Sequence, residues 1–456
     1  TFINNVIIGK TLTMDELFKE YGYAAVFIGT AIILGTVVTS ADLTPTDPIP
    51  EEESFCDKCK TCVGACVGGM FSKSEEDSVT LGGKTFTFSR RIDLNRCNLV
   101  CGGFTGLHKS GKWSTWSAGR FRVPEKPEET LDLFSWDIID LGKAGDMRRK
   151  LAFPRETVGF IVDRIINFTN ICEAACSFCA FHARANLIEP YEVTMDDIFL
   201  KIEELVAAGG TQVMLQGGLH PDYTLNTYVD MVTSVKKKFP DIYLHSFSPS
   251  EIVHISRKSS MPVNDVVKAL KSAGLDSMPG ASDLLVDRIR TKVSPKKTTV
   301  DEWREVMRAL YQNGMKSSAT MTYGMGETNE EKITHLKVIR DIQDETGILQ
   351  AFIPWSFSPA KTRMEDTLPA TGIDYLTILA IARIFLDNIT YIQAGWLTEG
   401  LKLAQIALTM GANDMGGVLM EEVVVKATGI KTKTNDKELI HIIQNAGKIP
   451  VQRDSR

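Results

Sequence analysis

The chain has 456 residues, 43% hydrophobic and 24% charged, which is enough for two or three domains around a large buried core. Its 51 basic and 57 acidic residues give a net charge of −6, which argues against a nucleic-acid partner. All nine cysteines lie within 56–101 or 172–179, and clustered thiols in a chain of this size indicate metal binding and a reducing, cytoplasmic compartment rather than disulfides.

The first predicted segment, residues 1–40, consists of a strand, a short helix and a second strand. We expect neither a signal peptide nor a membrane anchor, because the apolar run 24–38 has only 15 residues and contains two glycines. The strings VIIGKTLTMDELF and VFIGT resemble part of a glutamate-synthase-type flavin oxidoreductase. The GxGxxG loop is missing, so we predict no flavin or NAD site here.

The second predicted segment, residues 41–128, is rich in Pro, Gly, Cys and Trp and has little periodicity, which is typical of a domain ordered by a metal. It ends in a predicted linker, PEKPEE, near position 125. Its string FCDKCKTCVGAC has the cysteine spacing of bacterial ferredoxins, C-x₂-C-x₂-C-x₃-C. The segment also resembles the ferredoxin-like end of epoxyqueuosine reductases, although Val67 replaces the usual proline.

Six cysteines cannot fill two clusters that each take four cysteine ligands. We therefore predict one 4Fe–4S cluster in this segment, with zinc as the alternative. The first three ligands are expected to be Cys56, Cys59 and Cys62, and the fourth either Cys66 or Cys101.

The third predicted domain, residues 130–456, alternates short β-rich runs with amphipathic helices. Several of these helices end at a glycine, as helix C-termini prefer. About eight repeats of strand and helix predict an α/β fold in which a parallel sheet closes into a (β/α) barrel. The predicted strands lie in 159–169, 211–217, 242–248, 277–281, 317–324, 349–357, 391–396 and, more weakly, 412–420.

A cysteine-rich loop follows the first predicted strand, at the barrel end where such enzymes do their chemistry. Cys172, Cys176 and Cys179 have CxxxCxxC spacing and supply three thiolates, one fewer than a 4Fe–4S cluster takes. One iron would then be open to bind the amino and carboxylate groups of S-adenosylmethionine (SAM). The alternatives are a zinc site completed by His182 and three inert buried thiols.

Residues near this loop are candidates to bind SAM. Phe178 could pack on the adenine or belong to the core. Gln216, Gly217 and Gly218 could offer backbone groups to the methionyl end, or form a plain turn. His220 could be a catalytic base or a turn residue.

Later strand ends carry further candidates. Asp283 could accept hydrogen bonds from a ribose hydroxyl, or act as a carboxylate at a helix N-terminus. Glu327 could be catalytic at the barrel mouth, or a charge in the first turn of a helix. Trp355 could be a wall for an aromatic substrate or a core residue.

From about residue 130 onward the chain resembles the radical SAM enzymes of the futalosine route to menaquinone. The resemblance rests on INFTNICEAACSFCAFHA, MLQGGLHPD, SPKKTTVDEW, IQDETGILQAFIPWSF, YIQAGWLTEGLKLAQIAL, GANDMGGVLMEE and IIQNAGKIPVQRD. It implies that Cys172, Cys176 and Cys179 hold the cluster and that reduced SAM yields a 5′-deoxyadenosyl radical. It further implies a small-molecule substrate, dehypoxanthine futalosine, which is cyclised, and a reductant such as flavodoxin or ferredoxin.

Two departures from the family pattern concern substrate contacts. Met325 stands where the family usually has histidine, and PGASD, with Asp283, replaces PGGGAE. A thioether cannot replace histidine in proton transfer. Three alternatives therefore stay open: an aminofutalosine synthase, a subunit of the deazaflavin (FO) synthase, and a non-catalytic iron–sulfur electron carrier.

Overall fold

A computed structural model describes residues 71–81, 84–92, 128–184 and 187–454. The predictions for residues 1–40, and the ferredoxin-type cysteines 56, 59, 62, 66 and 101, lie outside these residues. Among the described helices, none combines the length and apolar character that crossing a bilayer requires.

The described part of the second predicted segment is an antiparallel hairpin of β1 (Phe71–Leu81) and β2 (Lys84–Arg91). An exposed ion pair joins the strands, with Arg90 Nη1 3.0 Å from Glu75 Oε2. The expectation of an irregular segment is therefore wrong for these residues. Strand β1, FSKSEEDSVTL, is mostly polar and lacks the regular alternation of apolar residues by which a strand is recognised, whereas TFTFS in β2 does alternate and was a signal that the sequence analysis missed.

The remaining strands form a parallel (β/α) barrel, which confirms the predicted fold class. Hydrogen-bonded neighbours are ordered β12-β3-β11, β10-β9-β8-β7 and β4-β5-β6. Single bridges join these groups, from His245 to Ser277 and from Gln393 to Asp414. The strands are β3 (Thr157–Ile161), β4 (Asp163–Asn167), β5 (Gln212–Gln216), β6 (Tyr243–Leu244), β7 (Ser277–Met278), β8 (Lys316–Tyr323), β9 (Leu349–Ser356), β10 (Tyr391–Ile392), β11 (Asp414–Gly417) and β12 (Ile449–Gln452).

The first predicted strand is divided at Val162, and this division closes the barrel. Strand β3 pairs with β11 and β12, whereas β4 pairs with β5 in the register Asp163 to Gln212 and Asn167 to Gln216. The partner strand thus changes along one extended segment. Each of the eight predicted strand runs contains an observed strand; β12 was not predicted.

Helices surround the barrel, and their ends follow local sequence. Capping boxes at Thr299, Thr328 and Thr371 begin three of them. The left-handed Gly274 ends α6. The α-helices are α1 (Glu128–Leu131), α2 (Ile138–Ala152), α3 (Met195–Ala207), α4 (Leu225–Lys238), α5 (Pro249–Ser259), α6 (Val263–Ala273), α7 (Asp287–Val293), α8 (Val300–Gln312), α9 (Asn329–Thr346), α10 (Gly372–Phe385), α11 (Trp396–Glu399), α12 (Leu401–Ala407) and α13 (Asp436–Asn445).

Candidate active site

The cysteine loop follows β4, and all three of its thiols line one cavity of roughly 450 Å³. Cys176 packs with Ala174 and Leu219 in a small apolar cluster of its own. The Leu219 N–H donates a hydrogen bond to Cys172 Sγ at 3.3 Å. Because a thiolate ligand of a cluster is stabilised by such donors, this contact fits an iron–sulfur site.

The same thiols do not fit a single metal ion. Among the described residues, no three His, Cys, Asp or Glu side chains approach closely enough to hold one ion. Cluster ligands can be farther apart, because each thiolate binds a different iron. The zinc alternative with His182 is therefore not supported. His182 lines the cavity, and neither ring nitrogen has a partner in the described structure.

Burial affects the protonation of these thiols. It raises the pKa of Cys176 to about 12 and also raises the pKa of Cys179. Uncoordinated, both would be neutral thiols at neutral pH. Binding of iron would displace their protons, since only thiolates ligate metal.

The predicted glycines lie against the cysteine loop. A Cβ on Gly218 would lie 2.1 Å from the Ile171 carbonyl oxygen and 2.8 Å from Cys172 Cβ. Gly218 therefore lets the end of β5 approach the loop that carries the first thiol. Gln216, Gly217 and Gly218 all line the cavity, as expected for ligand contacts. Their role toward SAM stays a prediction.

A buried carboxylate supports this strand end. Glu251, near the start of α5, accepts hydrogen bonds from the Gly217 N–H at 3.2 Å and from Ser248 Oγ at 2.7 Å. Burial raises the pKa of Glu251 to about 8. Sequence analysis did not identify this residue, because a Glu three positions after a Ser is also a common helix start.

A partly buried ion pair lies beside the loop. Lys297 Nζ donates to Asp283 Oδ2 at 2.6 Å and lies 5.6 Å from the centroid of the Phe178 ring. All three residues line the cavity. The roles of Asp283 and Phe178 toward a ribose and an adenine stay predictions. The pairing with Lys297 was missed because Lys296 and Lys297 resemble a charged surface.

Two predicted catalytic residues do not line this cavity. Both oxygens of the Glu327 carboxylate accept backbone hydrogen bonds, from Gly324 at 2.7 Å and Met325 at 2.9 Å, so they hold a turn. His220 accepts from the Asp222 N–H at 3.1 Å and stacks on Tyr223 at 4.0 Å. These contacts favour the turn-residue alternative for His220 and a structural role for Glu327.

The aromatic candidate and the family departure lie in different places. Trp355 lines the cavity and donates from Nε1 to Thr322 Oγ1 at 2.6 Å. Met325 is 2% exposed and packs in the main apolar core instead. The residue that replaces the family histidine therefore does not line the cavity.

Below the cysteine loop the barrel interior carries polar side chains that sequence analysis did not select. Asp163, Gln212, His245, Gln393 and Arg453 also line the cavity. The available signal was a charged residue within an apolar strand, as Asp163 is in GFIVDRIINFT. The structure shows that these residues come from separate strands and face the same space.

Sequence comparison supports the same chemistry. The radical SAM superfamily matches residues 166–339, and the CofH/MqnC C-terminal region matches residues 345–456. The cyclic dehypoxanthine futalosine synthase of Streptomyces coelicolor is 41% identical over 72% of this chain and 83% of its own length. The synthase of Halalkalibacterium halodurans is 40% identical over 72% of this chain and 89% of its own length.

A second group of relatives is almost as similar. The 5-amino-6-(D-ribitylamino)uracil–L-tyrosine 4-hydroxyphenyl transferase of Methanococcoides burtonii is 40% identical over 72% of this chain and 94% of its own length. Identity alone therefore does not separate the two activities.

Solved structures confirm the fold. Methylornithine synthase has a TM-score of 0.58 at 20% identity, covering 72% of this chain and 94% of its own. The FeFe-hydrogenase maturase of Carboxydothermus hydrogenoformans has a TM-score of 0.58 at 13% identity, covering 72% and 76%. With three thiols at the mouth of such a barrel, this chain belongs to the radical SAM superfamily, among the CofH/MqnC enzymes, whose members use a 4Fe–4S cluster and SAM.

Proposed function

We propose that this enzyme cyclises dehypoxanthine futalosine to cyclic dehypoxanthine futalosine, a step of menaquinone biosynthesis, in the cytoplasm. The observation that carries the proposal is that Cys172, Cys176 and Cys179 line the same cavity as the aromatic wall Trp355. The Streptomyces and Halalkalibacterium relatives bear the name of this activity.

The cysteine loop would hold the cluster. A 4Fe–4S cluster held by these three cysteines would supply the electron for reductive cleavage of SAM to methionine and a 5′-deoxyadenosyl radical. Gln216, Gly217 and Gly218 would contact the methionyl end, since all three line the cavity and Gly218 lies beside Cys172. Phe178 would pack against the adenine.

Asp283 and the cavity wall would orient the bound SAM and the substrate. Lys297 holds Asp283 Oδ2, which leaves Oδ1 to accept a ribose hydroxyl. Trp355 would cover one face of the aromatic ring of the substrate, because its indole N–H is already bonded to Thr322. The cavity walls would limit the access of water to the radical. His220 and Glu327 have no part in this scheme, since neither lines the cavity.

The second candidate is 4-hydroxyphenyl transfer from L-tyrosine to 5-amino-6-(D-ribitylamino)uracil, the activity named for the archaeal relatives. These relatives are almost as similar to this chain as the two synthases are, so this activity should be tested directly. Both candidates need the same three thiols, so the cysteine loop cannot distinguish them.

The deciding experiment uses full-length enzyme with its clusters reconstituted anaerobically and reduced with dithionite. SAM is added with dehypoxanthine futalosine, or with tyrosine and the ribitylaminouracil, and products are followed by mass spectrometry. A cyclised product that is two hydrogens lighter than dehypoxanthine futalosine, formed together with 5′-deoxyadenosine, supports the proposal, because one hydrogen goes to the deoxyadenosyl radical and the second leaves as a proton and an electron. Product only from the tyrosine mixture supports the transferase, and absence of 5′-deoxyadenosine would instead leave an electron carrier.

We also propose a second 4Fe–4S cluster on Cys56, Cys59 and Cys62 with Cys66 or Cys101, because their spacing matches bacterial ferredoxins. It would pass electrons from a flavodoxin or ferredoxin to the barrel. To test this route, flavodoxin replaces dithionite as the reductant. Reduction is then compared between the wild type and Cys56→Ala.

A further inference from the structure

The interior of the barrel is polar at a level where barrels are usually filled by branched apolar side chains. Asp163, Gln212, His245 and Gln393 come from or adjoin four different strands and line the cavity, together with Arg453 from the C-terminal end. Polar groups this deep cost stability unless they are hydrogen-bonded. Such an interior is expected where a polar ligand completes the bonding.

Gln212 has a side chain that lacks its partner. The residue is 2% exposed, and its Oε1 has no hydrogen-bond partner within the described structure. An unpaired buried acceptor of this kind costs about 1–3 kcal/mol. Since Gln212 lines the cavity, a ligand could supply the missing N–H or O–H donor.

Asp163 is the register partner of Gln212 on the adjacent strand β4. Paired strands are about 4.8 Å apart, so these two acceptors are close neighbours. Asp163 Oδ1 accepts the Leu419 N–H at 2.9 Å. A Cβ on Gly417 would lie 2.2 Å from both carboxylate oxygens, so a glycine at 417 makes room for this carboxylate.

Arg453 adds donors without adding net charge. Its Nε and Nη2 donate to Asp414 at 2.6 and 2.9 Å, and its guanidinium lies 4.7 Å from the Tyr391 ring centroid. A guanidinium has five N–H donors, so this pair leaves some for a ligand. Asp414 balances the charge of Arg453, so the guanidinium leaves no net positive charge to attract a carboxylate ligand.

We infer that Asp163, Gln212 and Arg453 form a subsite for the hydroxyl-bearing part of the substrate, a sugar or polyol. Hydroxyl groups both donate and accept, whereas carboxylates only accept and amide N–H groups only donate. Asp163 and Gln212 accept hydroxyl hydrogens, and Arg453 donates to a hydroxyl oxygen. This inference rests on the proposed function, because the subsite belongs to the same cavity.

The test replaces Gln212 by methionine, which keeps the shape and removes the acceptor. We expect KM for dehypoxanthine futalosine to rise about 3- to 10-fold, the value of one uncharged hydrogen bond, with a smaller change in kcat. We also expect Tm to stay the same or rise, because the lost acceptor was unpaired in the chain. A structural role would instead lower Tm and leave KM unchanged, which would overturn the inference.

Thr211→Val is the matched control. Thr211 Oγ1 is also buried without a partner, but Thr211 does not line the cavity. Its KM should match that of the wild type. An equal KM increase in both variants would contradict a specific subsite at Gln212.

Direct binding separates failure of this inference from failure of the proposed function. Equilibrium dialysis measures the affinity of two compounds, dehypoxanthine futalosine and 5-amino-6-(D-ribitylamino)uracil, for two reconstituted proteins, the wild type and Gln212→Met. If the wild type binds only the ribityl compound, and the variant binds it more weakly, the inference stands while the proposed function fails. Equal binding by both proteins, or binding of neither compound to the wild type, overturns the inference.

Discussion

Lys297 Nζ and Asp283 Oδ2 are 2.6 Å apart in a cavity wall, and each side chain is 17% exposed. Burial lowers the pKa of Lys297, but the Asp283 carboxylate raises it, and the pKa of Lys297 is raised overall, so the ammonium keeps its charge. Asp283 has a φ of +47°, in the left-handed region, and its carbonyl accepts the Thr322 N–H at 2.8 Å. The pair therefore fixes a strained turn beside the cysteine loop.

Removing one member of this pair should cost more than removing both. Among the described residues, Lys297→Met leaves Asp283 with only Arg290, whose Nη1 lies 3.9 Å from Asp283 Oδ2, and it should lower the free energy of unfolding by about 1–3 kcal/mol, as for the loss of a hydrogen bond to a charged group. Lys297→Met combined with Asp283→Asn should recover part of that loss. Urea unfolding of both proteins measures this, and a double variant less stable than the single one would contradict the pairing.

The cysteine loop and the N-terminal cysteines should lose iron independently. Cys172→Ala removes one of three thiols in the cavity, so we expect loss of about one cluster, near four irons per chain, and no 5′-deoxyadenosine. Cys56→Ala should lose the other cluster and keep dithionite-driven SAM cleavage. Iron analysis and absorption spectra after anaerobic reconstitution measure both.

The result would go against this assignment if Cys172→Ala kept its full iron content. The assignment would also be contradicted if Cys56→Ala alone abolished SAM cleavage in dithionite-reduced protein. The barrel site would then depend on the N-terminal cysteines.

Sequence alone predicted the barrel and the cysteine loop because both have strong local patterns. Strand and helix alternate at regular spacing, and CxxxCxxC is a compact motif. The break at Val162 could not be predicted, since all five residues of β4 and four of five in β3 are buried, and no glycine or proline adjoins Val162 to mark a change of partner strand. Strand β12 was missed because it is short and largely exposed.

Site residues away from the motif depend on contacts between distant positions. Lys297 reaches Asp283 only after α7 and its following loop fold back, and Arg453 reaches Asp414 across 39 residues. Conversely, His220 and Glu327 were natural candidates by residue type. Their side chains are occupied by nearby backbone amides, which a sequence pattern does not reveal.

Gly218 should tolerate no side chain, because a Cβ there would meet backbone 2.1 Å away at Ile171. We expect Gly218→Ala to push the cysteine loop from β5, reduce bound iron and destabilise the fold by about 1–3 kcal/mol, as overpacking does. Gly372→Ala is the control, since its Cβ would meet only the flexible end of Leu403 at 3.2 Å. Iron content and thermal unfolding check both, and wild-type iron in Gly218→Ala would contradict the close approach.

Glu251 should make stability depend on pH. Its pKa is about 8 in the folded protein, because of burial, against an ordinary value of 4.5. Between these values the folded state keeps a proton that the unfolded state releases, so the free energy of unfolding falls as pH rises from about 4.5 through about 8.

Glu251→Gln removes this titration and can still accept the Gly217 N–H. At pH 8.5 we expect the variant to be more stable than the wild type by on the order of 5 kcal/mol, and at pH 4.5 the difference should nearly vanish. Denaturant unfolding across this range measures the difference, with Glu305→Gln, an exposed site on α8, as control. If the free energies of unfolding of Glu251→Gln and wild type differ by the same amount at every pH, the Glu251 carboxyl does not titrate. This difference changes with pH only where the folded and unfolded states bind different numbers of protons.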